Sequence, residues 1–546
     1  MGYNLAEIHE AIAGAVGERD CLVHGERRLS WNQVTDRTRR LANALLARGI
    51  EPARPRAELS GWQSGQDHVA LYLFNGCEYL EGMLGSYKAG AVPFNVNYRY
   101  TSDELISLFN DARPRVCIYH AELAPTLAVV REHTNSLEIL IQVADDSGND
   151  LLPGAIEYEE FLAGATATRP DIEWSADDLY MLYTGGTTGA PKGVLWRQHD
   201  IFIAALGGRR RDGTIIESMD ELVERARARH SIQLPTPPMM HGAAHWASFV
   251  GFHSGGTVVM QENVHRLVAS DVLGTAARER VTSMLIVGDA FAQPLLDELA
   301  TNDYDLSSLD LIATGGAPMS GATKARLLER LPHIILFDAV GASESGSQAV
   351  NMSTKNDQDH RTVFAPRPGA GIAAADRESM LPRADHSLGW LAQTGYIPLG
   401  YLNDEARTAR TFPLIGDARY SVPGDRARWT EDGRIELLGR EAVTINSGGE
   451  KIFAEEVEHA LKTHPAVYDV IVCGRPSTRW GQEVCAIVRL RTAVDEAALL
   501  DTAAEKLARY KLPKAFLFVD EIVRHPNGKA DYRWAKKLLA EATATE

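Results

Sequence analysis

Cysteine is scarce in this chain. Its five residues, Cys21, Cys77, Cys117, Cys473 and Cys485, form no CxxC pair. That excludes a disulfide framework and points to a reducing compartment. Long apolar runs are missing as well: no stretch reaches about 18 uninterrupted apolar residues, the length a bilayer-spanning helix needs. Residues 1–7 lack the basic and apolar regions of a secretory signal, and Ala6 spoils a myristoylation match. A cytoplasmic protein is expected. Positive charge is in deficit, with 56 Lys and Arg against 73 Asp and Glu and a formal charge of −17. A nucleic-acid footprint needs a basic face, so nucleic acid is not an expected partner. Internal repeats and low-complexity tracts are also absent. What remains, 45% hydrophobic and 24% charged residues, describes an ordinary globular chain and excludes disorder as its main theme.

Helical and strand patterns alternate. Ser30-Trp31-Asn32-Gln33 is a capping box that opens a helix with an apolar stripe at Leu41, Leu45 and Leu46, and Gly49 is its expected stop. Strand-like runs recur at 68–74, 115–119, 179–183, 257–260 and 309–313. Strands interleaved with helices predict an α/β fold with largely parallel sheets. Residues 145–175 and 207–230 read as surface excursions, and the run Arg209-Arg210-Arg211 as a solvated face. After residue 440 the texture changes. Helical patterns at 454–461, 495–507 and from 531 alternate with strand patterns at 467–473, 484–490 and 515–519, a unit of about 100 residues. The expected division is a large N-terminal domain, 1–440, and a small C-terminal α/β domain, 441–546.

The strongest local signal is Tyr183-Thr184-Gly185-Gly186-Thr187-Thr188-Gly189-Ala190-Pro191-Lys192-Gly193. It follows an apolar strand. Its glycines let backbone approach a phosphate, while hydroxyls and an ammonium supply donors for oxyanions. A P-loop is excluded, because Lys192 is flanked by Pro191 and Gly193 where GxxxxGK[ST] requires Gly and Ser or Thr. No GxGxxG turn is present in this loop either.

Thr184 to Gly193 resembles the phosphate-binding signature of the adenylate-forming superfamily: acyl- and aryl-CoA ligases, peptide-synthetase adenylation domains and beetle-type luciferases. Further segments resemble that family in order. Pro237-Pro238-Met239-Met240-His241-Gly242 resembles the segment gating the carboxylate pocket, and Gly315-Gly316-Ala317-Pro318 the turn against adenine. Asp338-Ala339-Val340-Gly341-Ala342-Ser343-Glu344 resembles the motif ending in a hydroxyl residue and Glu. Gly424-Asp425 resembles the ribose-binding aspartate, and Gly439-Arg440 with Ser447-Gly448-Gly449-Glu450-Lys451 the start of a mobile C-terminal domain. Pro526-Asn527-Gly528-Lys529 resembles the terminal catalytic-lysine motif. The resemblance spans most of the chain, and its closest phrases resemble bacterial long-chain and steroid side-chain acyl-CoA ligases.

The resemblance implies ATP, Mg²⁺ and coenzyme A as cofactors, and two half-reactions. A carboxylate attacks the α-phosphorus of ATP to give an acyl-adenylate and pyrophosphate; CoA then takes the acyl group and releases AMP. Catalytic roles fall to Lys529, Glu344, His241 and Thr184, with Glu344 on Mg²⁺. Nucleotide contacts are expected from Thr184, Gly185, Gly186, Thr187, Thr188, Gly189, Lys192, Gly315, Gly316, Ala317, Asp338, Ala339, Val340, Gly341, Ser343, Asp425, Arg440, Gly448, Gly449 and Lys451. The residue types suit these roles: a carboxylate accepts from ribose hydroxyls, a hard oxygen suits Mg²⁺, and a guanidinium donates in a fork. The acyl pocket is expected at His241, Trp246, Val287, Gly288 and Asp289, with Asp289 equally readable as a helix cap. His241 and His245, one turn apart, fit no HExxH frame and are read as a pocket gate and its neighbour, not a zinc pair. Three positions depart from the family pattern: Val340, Pro423 and Ala442. Coenzyme A is the expected acceptor, no carrier-protein domain following residue 546. An enzyme passing an amino or aryl acid to a carrier protein stays open, as does a homodimer.

Overall fold

Local chemistry explains where the first elements begin. In the computed structural model, Ser30 Oγ accepts from the amide of Gln33 while the Gln33 side chain accepts from the amide of Ser30. This reciprocal cap starts the helix Trp31–Ala47. Its buried stripe of Val34, Leu41, Ala42 and Leu45 packs on the helix Cys77–Lys88, which is buried along its whole length. The structure describes residues 2–51, 54–185, 191–210, 212–357, 363–447, 450–477, 480–526 and 528–543.

Two sheets dominate the N-terminal part. One is all parallel, in the order Val92–Asn95, His68–Tyr72, Val116–His120, Ile139–Val143, Ile156–Glu157. The other starts at an antiparallel edge strand, Arg27–Ser30, and continues with parallel strands Asp20–His24, Thr257–Met260, Ile232–Pro235, Ser283–Ile286, Leu311–Gly315 and Ile335–Ala342. From Ile335–Ala342 onward its pairing turns antiparallel, through Gly346–Ser353, Val363–Pro366, Ile435–Arg440, Asp425–Trp429 and Gly389–Thr394. The expected parallel pairing thus holds for the first part only. Adjacent later strands such as Asp425–Trp429 and Ile435–Arg440 need only a tight turn between them, which antiparallel pairing allows.

A small antiparallel sheet, Leu179–Thr184, Lys192–Arg197 and Gly400–Tyr401, lies between two cores. Leu179, Met181 and Tyr183 enter one cluster with Phe94 and Tyr119; Tyr180, Leu182, Val194 and Trp196 enter the other with Trp31 and Phe249. The period-2 alternation of a strand buried on both faces accounts for its unbroken apolar sequence.

Residues 145–175 are less of an excursion than expected, since Ile156–Glu157 extends the parallel sheet and Tyr158 and Phe161 join the main core. In 207–230, Arg210 makes a two-pronged contact with Glu221 at 2.6 and 2.7 Å. Leu222 and Ala226 anchor the helix Met219–Ala228 in the core. Arg211 lies outside the described residues.

The C-terminal part is built on its own sheet of Ile445–Ser447, Glu450–Ile452, Val467–Ser477, Gly481–Leu490 and Ala515–Phe518. One face packs on helices Ala454–Leu461 and Glu496–Ala504 through Val470, Val472 and Val484. The other packs on Tyr532–Thr543 through Ile471, Cys473 and Ile487. Neither of these cores merges with those of the N-terminal part. Among the described residues no helix is long and apolar enough to cross a membrane.

Candidate active site

The Gly- and Thr-rich loop is held at both ends by one strand pair, in which Thr184 lies directly opposite Lys192. Lys192 Nζ sits 3.3 Å from Glu344 Oε1, and the Tyr401 hydroxyl donates to the same oxygen at 2.8 Å. Lys192 also donates to that hydroxyl at 3.2 Å and lies over the Tyr401 ring. The main-chain carbonyl of Glu344 accepts from the Ser421 hydroxyl. Burial alone would push the Glu344 carboxyl up, but Lys192 and Tyr401 outweigh it and hold it below the ordinary carboxylate range. The carboxylate is therefore ionised and fixed. Gly185 is adjacent to this triangle in sequence; Gly186, Thr187, Thr188 and Gly189 lie outside the described residues.

Strand order brings the next motifs alongside. Leu311–Gly315 and Ile335–Ala342 are parallel neighbours, with Gly315 opposite Ala339. Gly315, Gly316 and Ala317 therefore leave the sheet beside Asp338, Ala339, Val340 and Gly341, at the carboxyl ends of strands, where α/β folds commonly bind ligands. The Ser343 carbonyl accepts from the Trp196 indole at 2.9 Å, which ties the Glu344 turn to the strand Lys192–Arg197. Asp338 Oδ2 lies 2.7 Å from Lys324 Nζ, a pair almost wholly buried. Burial still dominates and pushes the Asp338 carboxyl up.

Asp425 and Arg440 are cross-strand partners, and Arg440 Nε donates to Asp425 Oδ1 at 3.0 Å. The Asp425 carboxylate raises Arg440 further above its ordinary value. Lys529 reaches this group from the C-terminal part. Burial, followed by the charge of Arg440, lowers its ammonium to about 8, while Glu344, Asp425 and Glu455 oppose that shift. Its turn is closed by the His525 amide donating to the Lys529 carbonyl at 2.9 Å. Gly528 has φ +71°, and a Cβ there would stand 3.1 Å from the Val287 carbonyl oxygen and 3.2 Å from Ala290 Cβ. The lysine turn is pressed directly onto residues 287–290.

His241 occupies the N-cap position of the helix Gly242–Phe252, its side chain making no capping bond. Its backbone turn is gripped by two asparagines. Asn95 donates to the carbonyls of Tyr183 at 2.8 Å and Met240 at 2.6 Å, and Asn75 Oδ1 accepts from the Met239 amide at 2.6 Å. Burial, then the charge of Lys529, pushes the His241 ring down to about 3, so it is neutral and next to the lysine. His245 instead bridges the Tyr180 and Tyr79 hydroxyls at 3.1 and 3.2 Å, as a buried core histidine does. Among the described residues no cluster of three His, Cys, Asp or Glu could hold a metal by itself.

Other expected residues make contacts of their own. Trp246 packs against the main core one turn beyond His241. Gly288 lies under the turn Ala317-Pro318, where a Cβ would stand 2.4 Å from the Pro318 carbonyl oxygen. The Asp289 carboxylate is taken by Ser320, at 2.9 Å from its amide, and by Lys462 at 3.2 Å. Lys451 is 60% exposed and paired with Glu441, which directly follows Arg440; Gly448 and Gly449 lie outside the described residues. Tyr401, Lys324, Asn75, Asn95 and Glu455 were not foreseen. Only Asn95, an amide inside an apolar strand, carries a local signal of its own.

The profile of AMP-binding enzymes matches residues 9–397, and that of the AMP-binding enzyme C-terminal domain matches residues 456–529. The chain is 48% identical over 539 residues to a medium-chain acyl-CoA ligase, Mig, of Mycobacterium avium, covering 98% of each. It is 38% identical over 558 residues to a medium/long-chain-fatty-acid–CoA/3-oxocholest-4-en-26-oate–CoA ligase of Mycobacterium tuberculosis, covering 98% of this chain and 96% of that one. In fold it is similar to an anthranilate CoA ligase, AuaEII, solved with anthranoyl-AMP. The TM-score is 0.82 over 99% of this chain and 98% of the other, at 23% identity.

Proposed function

The chain belongs to the family of AMP-binding enzymes, and on that premise we propose that it activates a carboxylic acid with ATP and transfers the acyl group to coenzyme A. The supporting observation is the convergence of Lys529, from the C-terminal part, on Glu344, Asp425 and Arg440 of the N-terminal part, beside a neutral His241.

In the first step a carboxylate oxygen attacks the α-phosphorus of ATP in line, the bond to the β-phosphate oxygen breaks, and pyrophosphate leaves. Two anions meet there, and the Lys529 ammonium offsets their repulsion as charge builds on the α-phosphate oxygens. Thr184, Gly185 and Lys192 supply donors for the phosphates, and Asp425 with Arg440 accepts from and donates to the ribose. Asp338, held by Lys324, accepts from the adenine amino group. A neutral His241 closes the acid pocket without adding a charge that would bind the carboxylate too tightly to react. The Glu344 carboxylate is a single fixed hard oxygen donor, which suits Mg²⁺ shared with substrate phosphates. That ion would supply charge neutralisation for the departing pyrophosphate. In the second step the CoA thiolate attacks the acyl carbonyl and AMP leaves. The junction near residues 440–441, between the two independent cores, is the hinge about which residues 441–546 turn between steps.

The acid is an aliphatic fatty acid of medium or long chain or a steroid side-chain acid, a reading supported by what the relatives at 48% and 38% identity are named for. The test is ATP–pyrophosphate exchange with octanoic, dodecanoic, hexadecanoic and 3-oxosteroid side-chain acids. Exchange is expected to need Mg²⁺ and an acid but no CoA, and thioester to form once CoA is added. No exchange with any of these acids would sink the proposal.

A further inference from the structure

A chain of polar contacts joins the turn Gly315-Gly316-Ala317-Pro318 to the turn that carries Lys529. It starts at Ser320, which caps the helix Gly321–Arg330. Asp289 Oδ1 accepts from the Ser320 amide at 2.9 Å and its hydroxyl at 3.3 Å, while the Asp289 amide donates to the Pro318 carbonyl at 3.2 Å. The other carboxylate oxygen of Asp289 lies 3.2 Å from Lys462 Nζ, at the end of the helix Ala454–Leu461. Lys462 is also 3.4 Å from Asp469 Oδ1. Asp469 receives both arms of Arg524 at 2.7 Å, and Arg524 Nη1 donates to the Gly528 carbonyl at 3.2 Å. Gly528 directly precedes Lys529.

This relay crosses from one part of the protein to the other once, at Asp289–Lys462. Both side chains are nearly buried, at 6% and 12% exposure. The four charges alternate in sign along the relay, and Glu458 adds a further carboxyl beside Lys462 and Arg524. Undocking leaves Asp289 bonded to Ser320, and leaves Lys462 with Asp469, Arg524 and Glu458 but without its partner across the interface. The contact therefore exists in one arrangement and is lost in the other, which is what an interaction must do to shift a two-state equilibrium. Asp297 adds contacts to Tyr468 and Arg491 at the half-exposed rim of the same interface, where ion pairs contribute little.

We propose that Asp289 and Lys462 are positioning residues that lock the C-terminal part in the arrangement presenting Lys529, and that they tie this lock to the ordering of the adenine turn. The proposal rests on the ligase reading for its catalytic consequence, but its structural content stands apart. Neither residue touches a reacting atom; Asp289 acts through Ser320 and Lys462, and Lys462 through Asp469 and Arg524.

The variants are Asp289→Asn, which keeps an oxygen for Ser320, and Lys462→Met, which keeps an apolar stem of similar length. Each is expected to slow acid-dependent ATP–pyrophosphate exchange about tenfold, within the range typical of coupling between sites. Conversion of presynthesised acyl-adenylate with CoA should stay within about twofold of wild type, because that step does not use the lock. The double variant should exchange no more slowly than the worse single one, since both remove the same contact. Unchanged exchange, equal loss of both half-reactions, or additive losses would each overturn the proposal. Amide hydrogen exchange provides a readout independent of turnover. In the unliganded Lys462→Met protein, the amides of residues 287–290, 524–525 and 528–530 should exchange about tenfold faster than in wild type. Unchanged protection there overturns the lock whatever the enzyme does. An inactive wild type with faster exchange in the variant overturns only the ligase reading.

Discussion

At the scale of single residues, the position of Lys529 sets both its charge and its task. Its ammonium is brought beside Arg440, and burial with that neighbouring charge lowers it to about 8. The protonated form is the one that offsets anionic charge, so adenylation by the wild type is expected to fall as pH rises through about 8. Lys529→Ala should lose about 100- to 1000-fold in adenylation, the usual effect of removing one such donor. Its remaining activity should show no alkaline limb of this origin. Rates of pyrophosphate exchange across pH 6–10 for both proteins check this, and a variant that keeps the limb refutes the assignment. The thioester step from presynthesised acyl-adenylate should survive in the same variant; equal loss of both would indicate misfolding. His241 contributes differently. With its ring at about 3 it carries no charge across that pH range, so it cannot supply the limb.

At the scale of elements, the helix Ala454–Leu461 carries two acids pressed into low-dielectric surroundings. Burial raises both Glu455 and Glu458 to about 7, with neighbouring carboxylates adding to the effect. Glu458 accepts from the Val472 amide at 2.8 Å and from the Tyr532 hydroxyl at 3.4 Å, while Lys462 and Arg524 pull the other way. A carboxyl raised in the fold binds its proton more tightly there than in the unfolded chain. Its stabilisation is complete below 4.5 and is lost as pH rises through about 7. The thermal midpoint of the protein should therefore decline between pH 5 and 8, and Glu458→Gln should flatten that decline. An unchanged slope in calorimetry would mean that Glu458 is already ionised in the fold. The helix itself was legible in the sequence, because Val457, Ala460 and Leu461 repeat at helical spacing and are buried. So was the strand Leu179–Thr184, as an apolar run ending in a glycine loop. The antiparallel strands after Asp338 were not. Their partners are set by tertiary contacts that no single segment encodes. The same limit applies to side chains. Asp338 and Asp289 were visible as acids in plausible places, but Lys324 and Lys462, which pair with them, are ordinary helix lysines in sequence. Tyr401 sits in a two-residue strand and has no pattern at all.

At the scale of the whole molecule, the separation of cores has a measurable consequence. All five cysteines are buried, and burial pushes the thiols of Cys21, Cys77, Cys117 and Cys473 up, so none is a ready nucleophile. Three lie in the N-terminal cores and two in the C-terminal ones. A unit of about 100 residues buries a smaller share of its surface than a larger one and is the less stable of the two. A thiol reagent is thus expected to label nothing in the native protein. In rising denaturant it should label two cysteines, Cys473 and Cys485, before the other three. Release of all five together would show that the parts unfold as one. The Glu344 triangle has a consequence of another kind. Its carboxylate is held by Lys192 and Tyr401 and its carbonyl by Ser421, three segments separated by long stretches of chain. The Lys192 and Tyr401 grips need the turn carrying Glu344 to meet the small sheet between the cores, and the Ser421 grip needs it to meet the strand Ala418–Ser421 of the large sheet. A partly folded chain therefore has no weakened version of the site to offer. The capacity for chemistry is therefore expected to be lost as a whole when either of these meetings is undone, not to fade contact by contact.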